Sequence, residues 1–273
     1  MSDKNNNQSV TLPTSAQLTI NHCNLPAAII GGLSYNEFPV PLFIDGVHAL
    51  HKNLFIFLDK IKTFEERRTL FYNYMQTHFQ LDDLTQMGQN NSARLNRVRI
   101  DYKRLILGWH MNPNGHEGAV LKRWVESRIG LTPRFHQKPI RSFNDPSYGN
   151  YLQISAKGIY NTNAIEAQLD VLYSYAQYEL HLLSNTYIVL YRGLNNLRKH
   201  EILNKHGKQL TFLLNNVNSF SKSAEIAQHF GDYVVKINVP IYKIFCYNKV
   251  LPKQINSEDE FIVIGGIYKA CLI

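Results

Sequence analysis

The hydrophobic period of this chain changes near residue 184, and that change limits the folds open to it. Before it, apolar side chains recur at the spacing of one helix face; after it they come in short runs of strand character. Val47, Leu50, Leu54, Leu58 and Ile61 fall on one helical face. Thr63 and Glu66 form a capping box for a second helix that turns Phe71, Tyr74, Met75 and Phe79 inward. A third helix is predicted over 92–109, with Leu95, Val98, Tyr102, Leu105 and Trp109 on its apolar face. After the turn Asn112-Pro113-Asn114-Gly115, a helix over 117–129 buries Val120, Leu121, Trp124 and Val125 and stops at Gly130. Pro133, Pro139 and Pro146 mark an irregular connection. The next helix takes Asn163 as its N-cap, with Glu166 at the third position, and repeats Ile165, Leu169, Leu172, Ala176, Leu180 and Leu183.

Strands are predicted over 187–191, 210–217, 233–239, 242–247, 261–264 and 268–273, interrupted by a short helix over 224–230 that Gly231 closes. Helices first and strands second point to an α+β architecture. The expected layout is a flexible polar tail over 1–20 and one domain over 21–273, mainly helical over 21–183 and strand-rich over 184–273.

With 273 residues, 44% of them hydrophobic, the chain can bury a sizeable core. Its apolar runs, such as 26–30 and 261–264, are far too short to cross a bilayer, so no membrane span is expected. The first twenty residues lack the pattern of a secretory signal, and Cys23, Cys246 and Cys271 are scattered and odd in number. Both observations favour a reducing, cytoplasmic setting. A formal net charge of +8 suits an acidic or phosphate-bearing partner without naming one. Arg94, Arg97 and Arg104 line one stripe of the third helix, but Asp101 sits within it, as in a salt-bridged, solvated face. Nucleic-acid binding is the lesser reading. His48 and His51 stand three apart with no clear third ligand, so no metal site is expected.

The strand-rich half holds three stations with chemistry in them. In Glu258-Asp259-Glu260, an extended backbone points both glutamates one way and Asp259 the other. Two carboxylates crowded into one space can act on a developing cation or a cationic substrate; a solvated acidic loop is the bland alternative. In Tyr191-Arg192-Gly193 a guanidinium emerges at the end of a buried strand, and Gly193 lets the backbone turn sharply. Arginine there can grip phosphate or carboxylate through paired donors, or make a structural salt bridge. In Ser219-Phe220-Ser221 two hydroxyls share a face and can hold a sugar hydroxyl or orient a carboxylate, or simply end a strand. Phe230, four residues after Ile226, has the spacing of a core pair, and at a cleft it can stack on a flat heterocycle.

In that order, the arginine, Ser-x-Ser and Glu-x-Glu stations resemble the arginine-serine-glutamate pattern of NAD-dependent mono-ADP-ribosyltransferases. The runs GHEGAVLKRWVESRIGL (115–131), NAIEAQLDVLY (163–173), YRGLN (191–195), LNNVNSFS (214–221) and FIVIGG (261–266) are similar to the dinitrogenase reductase ADP-ribosyltransferase family. The resemblance runs from about residue 24 to the end of the chain. It implies the ADP-ribosyltransferase fold, with NAD as a substrate rather than a resident cofactor. By similarity, Arg192, with Gly193 beside it, would bind the NAD phosphates. Ser219 would hold the nicotinamide ribose side and orient the catalytic glutamate, with Ser221 and Phe230 at the same NAD site. Glu260 matches the glutamate that bonds the nicotinamide ribose, and Glu258 the one found in members that modify arginine. The implied acceptor is an arginine of dinitrogenase reductase, the nitrogenase iron protein, reversibly inactivated under the control of a PII signalling protein. A different acceptor protein, or a noncatalytic NAD-sensing module of the same fold, are the competing expectations.

Overall fold

In the computed structural model, which describes residues 10–81, 100–159, 164–197, 200–252 and 259–273, the change of period is a change of architecture. The described helices of the first part are α1 (Ala27–Ile30), α2 (Leu33–Glu37), α3 (Val47–Leu50), α4 (Lys52–Asp59), α5 (Phe64–Phe79), α6 (Tyr102–Met111) and α7 (His116–Ile129). A small hairpin, β1 (Phe135–His136) and β2 (Lys138–Pro139), precedes α8 (Pro146–Ile159) and α9 (Ile165–His181). The second part holds β3 (Tyr187–Leu194), β4 (Glu201–His206), β5 (Gln209–Ser221), α10 (Ala224–Gln228), β6 (Tyr233–Pro240), β7 (Ile244–Tyr247) and β8 (Glu260–Leu272). The class is α+β, as expected. None of the described helices is long and apolar enough to cross a membrane.

Local chemistry explains several helix ends. Thr63 Oγ1 accepts from Glu66 N at 3.4 Å and donates to the Glu66 carboxylate at 2.6 Å, which fixes the start of α5. Gly130 takes φ +83 and stops α7. Asp101 caps α6, accepting from Arg104 N at 2.9 Å, and pairs with Lys103; it is an N-cap, not a charge inside a basic stripe. Leu95, Val98, Arg94 and Arg97 lie outside the described residues.

Four expectations are corrected. The stripe from Val47 to Ile61 is broken at His51, which turns to Tyr74 (Nδ1 to OH 2.7 Å) and leaves Leu50 79% exposed. The N-cap of α9 is Ala164 at φ +47, while Asn163 lies outside the described residues. Pro146 opens α8 instead of extending a loop, since a proline in the first turn gives up no hydrogen bond. The two last predicted strands are one, β8, running through Gly265 and Gly266.

The sheet is antiparallel in the order β4-β5-β3-β6-β8-β7, and an added β5–β8 pairing joins β3, β5, β8 and β6 into a closed ring. Register on β5–β8 steps from Leu214↔Gly266 to Val217↔Ile264, so Asn215 and Asn216 both oppose Gly265. A Cβ at 265 would overlap Asn215 O, which is why the strand has glycine there. The bulged residues grip the helical part. Asn216 Nδ2 donates to Lys122 O and Leu131 O, each at 2.9 Å. Asn215 Oδ1 accepts from Arg134 N at 2.8 Å, and its amide donates to Phe135 O at 2.9 Å.

Around this seam, Trp124 of α7, Tyr173 of α9 and Phe245 of β7 pack as one aromatic group. Gln177 Nε2 donates to Ile241 O and Ile244 O. Residues that precede α1 join in: Leu12 and Ala16 are buried, Leu18 N donates to Gly130 O at 2.7 Å and Thr132 N to Ala16 O at 3.1 Å. Two lysines are buried in the same interior. Lys122 Nζ donates to Pro113 O at 2.9 Å and Phe135 O at 3.1 Å. Lys243 Nζ reaches Asn36 Oδ1 at 3.3 Å and lies over the Tyr268 ring, 4.4 Å from its centroid.

Gly265→Ala is expected to lower the unfolding free energy by about 3 kcal/mol or more, because a backbone oxygen has to move. Urea denaturation measures it, and a wild-type midpoint would show that the bulge tolerates a side chain. Burial pushes the Lys243 amine down from 10.5 to about 7. Above pH 7 the unfolded chain then holds the extra proton, so this group adds stability as pH rises from 7 to 9 and stops adding below 7. Relative to wild type, Lys243→Met is expected to flatten the rise between those two pH values; parallel curves would mean that the amine is not desolvated.

Candidate active site

Cross-strand register brings together residues far apart in sequence. Tyr191 of β3 pairs with Ser221 of β5, and Ser221 pairs with Glu260 of β8. Among the described residues this is where β3 meets β5; elsewhere β3 runs against β6. Arg192, Ser219 and Glu260 therefore stand on three neighbouring strands at one end of the sheet.

Arg192 NH1 donates to Ser219 O at 2.6 Å, and the guanidinium lies against Phe220, 5.7 Å from the ring centroid. Its Nε is buried with no hydrogen-bond partner among the described residues. Burial pushes the group down to about 10 against the pull of Glu260, so it stays charged at neutral pH. A charged donor short of an acceptor, at a strand end, is suited to a phosphate oxygen. His200 is held below its ordinary value by burial and then by the Arg192 charge, so it adds no second cation at neutral pH.

Gly193 does not turn the backbone. It continues β3, paired with Val234, and its missing Cβ admits the end of α10: a side chain there would overlap Ala227 O. Gly231 makes the reciprocal approach to Leu194. Phe230 lies in this crossing and is 65% exposed, so it is not the core partner of Ile226 but an aromatic open to solvent. Ser221 is buried, and its Oγ accepts from Ser223 N at 3.1 Å, which shapes the turn into α10.

Glu260 is the first residue of β8, and its carboxylate is gripped from the helical part. Trp109 Nε1, on α6, donates to Glu260 Oε1 at 3.3 Å and to Ser219 Oγ at 3.1 Å. His110 Nδ1 pairs with Glu260 Oε2. Burial by itself would raise this carboxyl, but the hydrogen bond and charge of His110, then the Ser219 hydroxyl and the Trp109 indole, hold it below its ordinary value. The group is a carboxylate at neutral pH. Asp259 takes φ +41 in a turn, so it does not lead into Glu260 as an extended run with alternating faces. Glu258 lies outside the described residues.

Trp109 was expected only as a core residue, although a buried indole needs an acceptor for its N–H. His110 carries no signal in the sequence, since its partner is 150 residues away and on another element. Lys122 backs Trp109, its Nζ 6.0 Å from the centre of the indole ring.

A surface hollow of about 510 Å³ between Asn36, Tyr187, Lys236 and Cys271 lies at the far ends of the same strands. Ten residues of β5 separate its Gln209 from Ser219, roughly 33 Å of strand. Glu260, Ser219 and Arg192 thus form a separate site.

The family described as dinitrogenase reductase ADP-ribosyltransferase matches residues 20–272. A curated relative, the NAD(+)--dinitrogen-reductase ADP-D-ribosyltransferase of Rhodospirillum rubrum, is 34% identical over 256 residues, covering 91% of this chain and 92% of that protein. No solved structure matches. With both matches running through the helical and the strand-rich parts alike, the chain belongs to the dinitrogenase reductase ADP-ribosyltransferase family.

Proposed function

We propose that this protein transfers ADP-ribose from NAD to an arginine of dinitrogenase reductase and thereby inactivates it reversibly. The observation that carries the reading is the meeting of Arg192, Ser219 and an ionised Glu260 on adjacent strands in a member of this family. When the bond between the nicotinamide nitrogen and ribose C1′ breaks, nicotinamide leaves with the electron pair and positive charge develops on the sugar. A fixed carboxylate stabilises that cation more than it stabilises ground-state NAD, the principle by which glycosidases work. Arg192 holds the phosphates, Ser219 the ribose side together with Glu260, and Phe230 lies open for the nicotinamide ring. Gly193 and Ser221 shape the strand end and the turn behind them. A guanidinium nitrogen of the acceptor then bonds to C1′, and Glu258 takes the proton that it loses.

We further propose that a PII signalling protein regulates the enzyme and that it works in the cytoplasm, as the sequence resemblance implies. Co-purification with PII under changing nitrogen supply tests the first.

Radiolabelled NAD offered with nitrogenase iron protein is expected to label one arginine; no label above a Glu260→Ala control would remove this acceptor. A noncatalytic NAD sensor would bind NAD and release no nicotinamide. Glu260→Gln is expected to slow nicotinamide release by about a thousand-fold. Glu258→Ala is expected to lose transfer to arginine mainly and keep part of the hydrolysis, and equal loss of both activities would contradict separate roles for the two glutamates.

A further inference from the structure

Two consecutive side chains of α6 hold the two oxygens of one carboxylate on β8, and they hold them differently. Trp109 is buried, 3% exposed, and its N–H is shared between Ser219 Oγ and Glu260 Oε1. Its ring is backed by Lys122, which is itself tied to Pro113 O, Asn114 Oδ1 and Phe135 O. Nothing in that arrangement yields without moving α6 or the loop after it. His110 lies at the rim, its side chain 11% exposed, on Oε2, the other oxygen.

We propose that Trp109 is a positioning residue that keeps Glu260 Oε1 fixed through the reaction, while His110 holds Oε2 in the NAD-free enzyme and gives it up to a ribose hydroxyl. The inference rests on the reading of Glu260 as the carboxylate that faces the sugar. An indole N–H is a neutral donor, so it orients the carboxylate without cancelling the negative charge that the sugar cation needs. A histidine on Oε2 does the opposite. It occupies the oxygen that the hydroxyl must reach. NAD binding therefore exchanges one donor on Oε2 for another, and the NAD-free enzyme keeps its carboxylate covered instead of bare. The two residues consequently differ in what their removal does. Losing the Trp109 donor leaves NAD bound beside a carboxylate that wanders; losing His110 removes a competitor.

The test uses the full-length protein, with NAD affinity from calorimetry and turnover from nicotinamide release. Trp109→Phe, which keeps a ring and drops the N–H, is expected to lower kcat about ten- to a hundred-fold, the worth of one hydrogen bond to a charged group, with the Kd for NAD within about two-fold of wild type. His110→Ala is expected to tighten NAD binding about ten-fold. A merely structural role for α6 predicts weaker NAD binding in both variants. Unchanged or weaker NAD binding in His110→Ala overturns the proposal, as does a wild-type kcat in Trp109→Phe. A thermal melt accompanies each variant, and if Trp109→Phe does not fold, the direction of the His110→Ala change in affinity decides. If wild-type protein releases no nicotinamide, or Glu260→Gln releases it at the wild-type rate, the proposed function fails and this inference with it. If both of those controls behave and the α6 variants do not, only the inference fails.

Discussion

Two asparagines of β5 set against a single glycine of β8 join the parts of this molecule. Antiparallel pairing would ordinarily satisfy the backbone of both strands from within the sheet. The extra residue breaks that symmetry and turns two amide side chains outward, where they meet a carbonyl in the middle of α7 and carbonyls and an amide of the segment after it. A sheet and a helical layer could pack through apolar contact alone, but such contact is non-directional and tolerates sliding. Hydrogen bonds at Lys122 O, Leu131 O, Arg134 N and Phe135 O do not. They fix where α7 sits on the sheet, and through Lys122 and the loop after α6 they fix where Trp109 points.

That coupling matters because the candidate chemistry tolerates little displacement. A carboxylate that stabilises a sugar cation has to be held in place before the cation forms, since reorientation during the reaction would cost the energy that preorganisation avoids. Here the strand supplies the carboxylate and its serine neighbour, while the helical layer supplies the donors that keep it ionised in a buried place. Arg192 is fixed by the sheet itself, through Ser219 O and the Phe220 ring.

What could be read in the sequence follows from where the determining contacts lie. Helix α5 is plain because cap and apolar stripe agree within one short stretch, and α7 because apolar stripe and glycine stop do. The same holds for the strand stations: arginine, serine and glutamate stand in order, each beside an apolar run, and the β5–β8 register then makes neighbours of them. Helix α8 was hidden because a proline at a helix start and a proline in a loop look alike in one dimension, and Gly149 and Gly158 dilute its pattern. Strand β4 is mostly exposed and so shows no apolar alternation. The hold of Trp109 and His110 on Glu260 depends on two layers meeting, and no local pattern encodes that.

The grip of α6 on Glu260 has a consequence for modularity. The strand-rich part carries every residue of the arginine-serine-glutamate signature, yet it is not a portable catalytic cassette. Excised or grafted onto another scaffold, residues 184–273 would retain the signature and lose the orientation of its carboxylate. Sequence change is accordingly more constrained on α6, which holds Glu260, and on α7, which backs Trp109, than on helices that do not touch the candidate site.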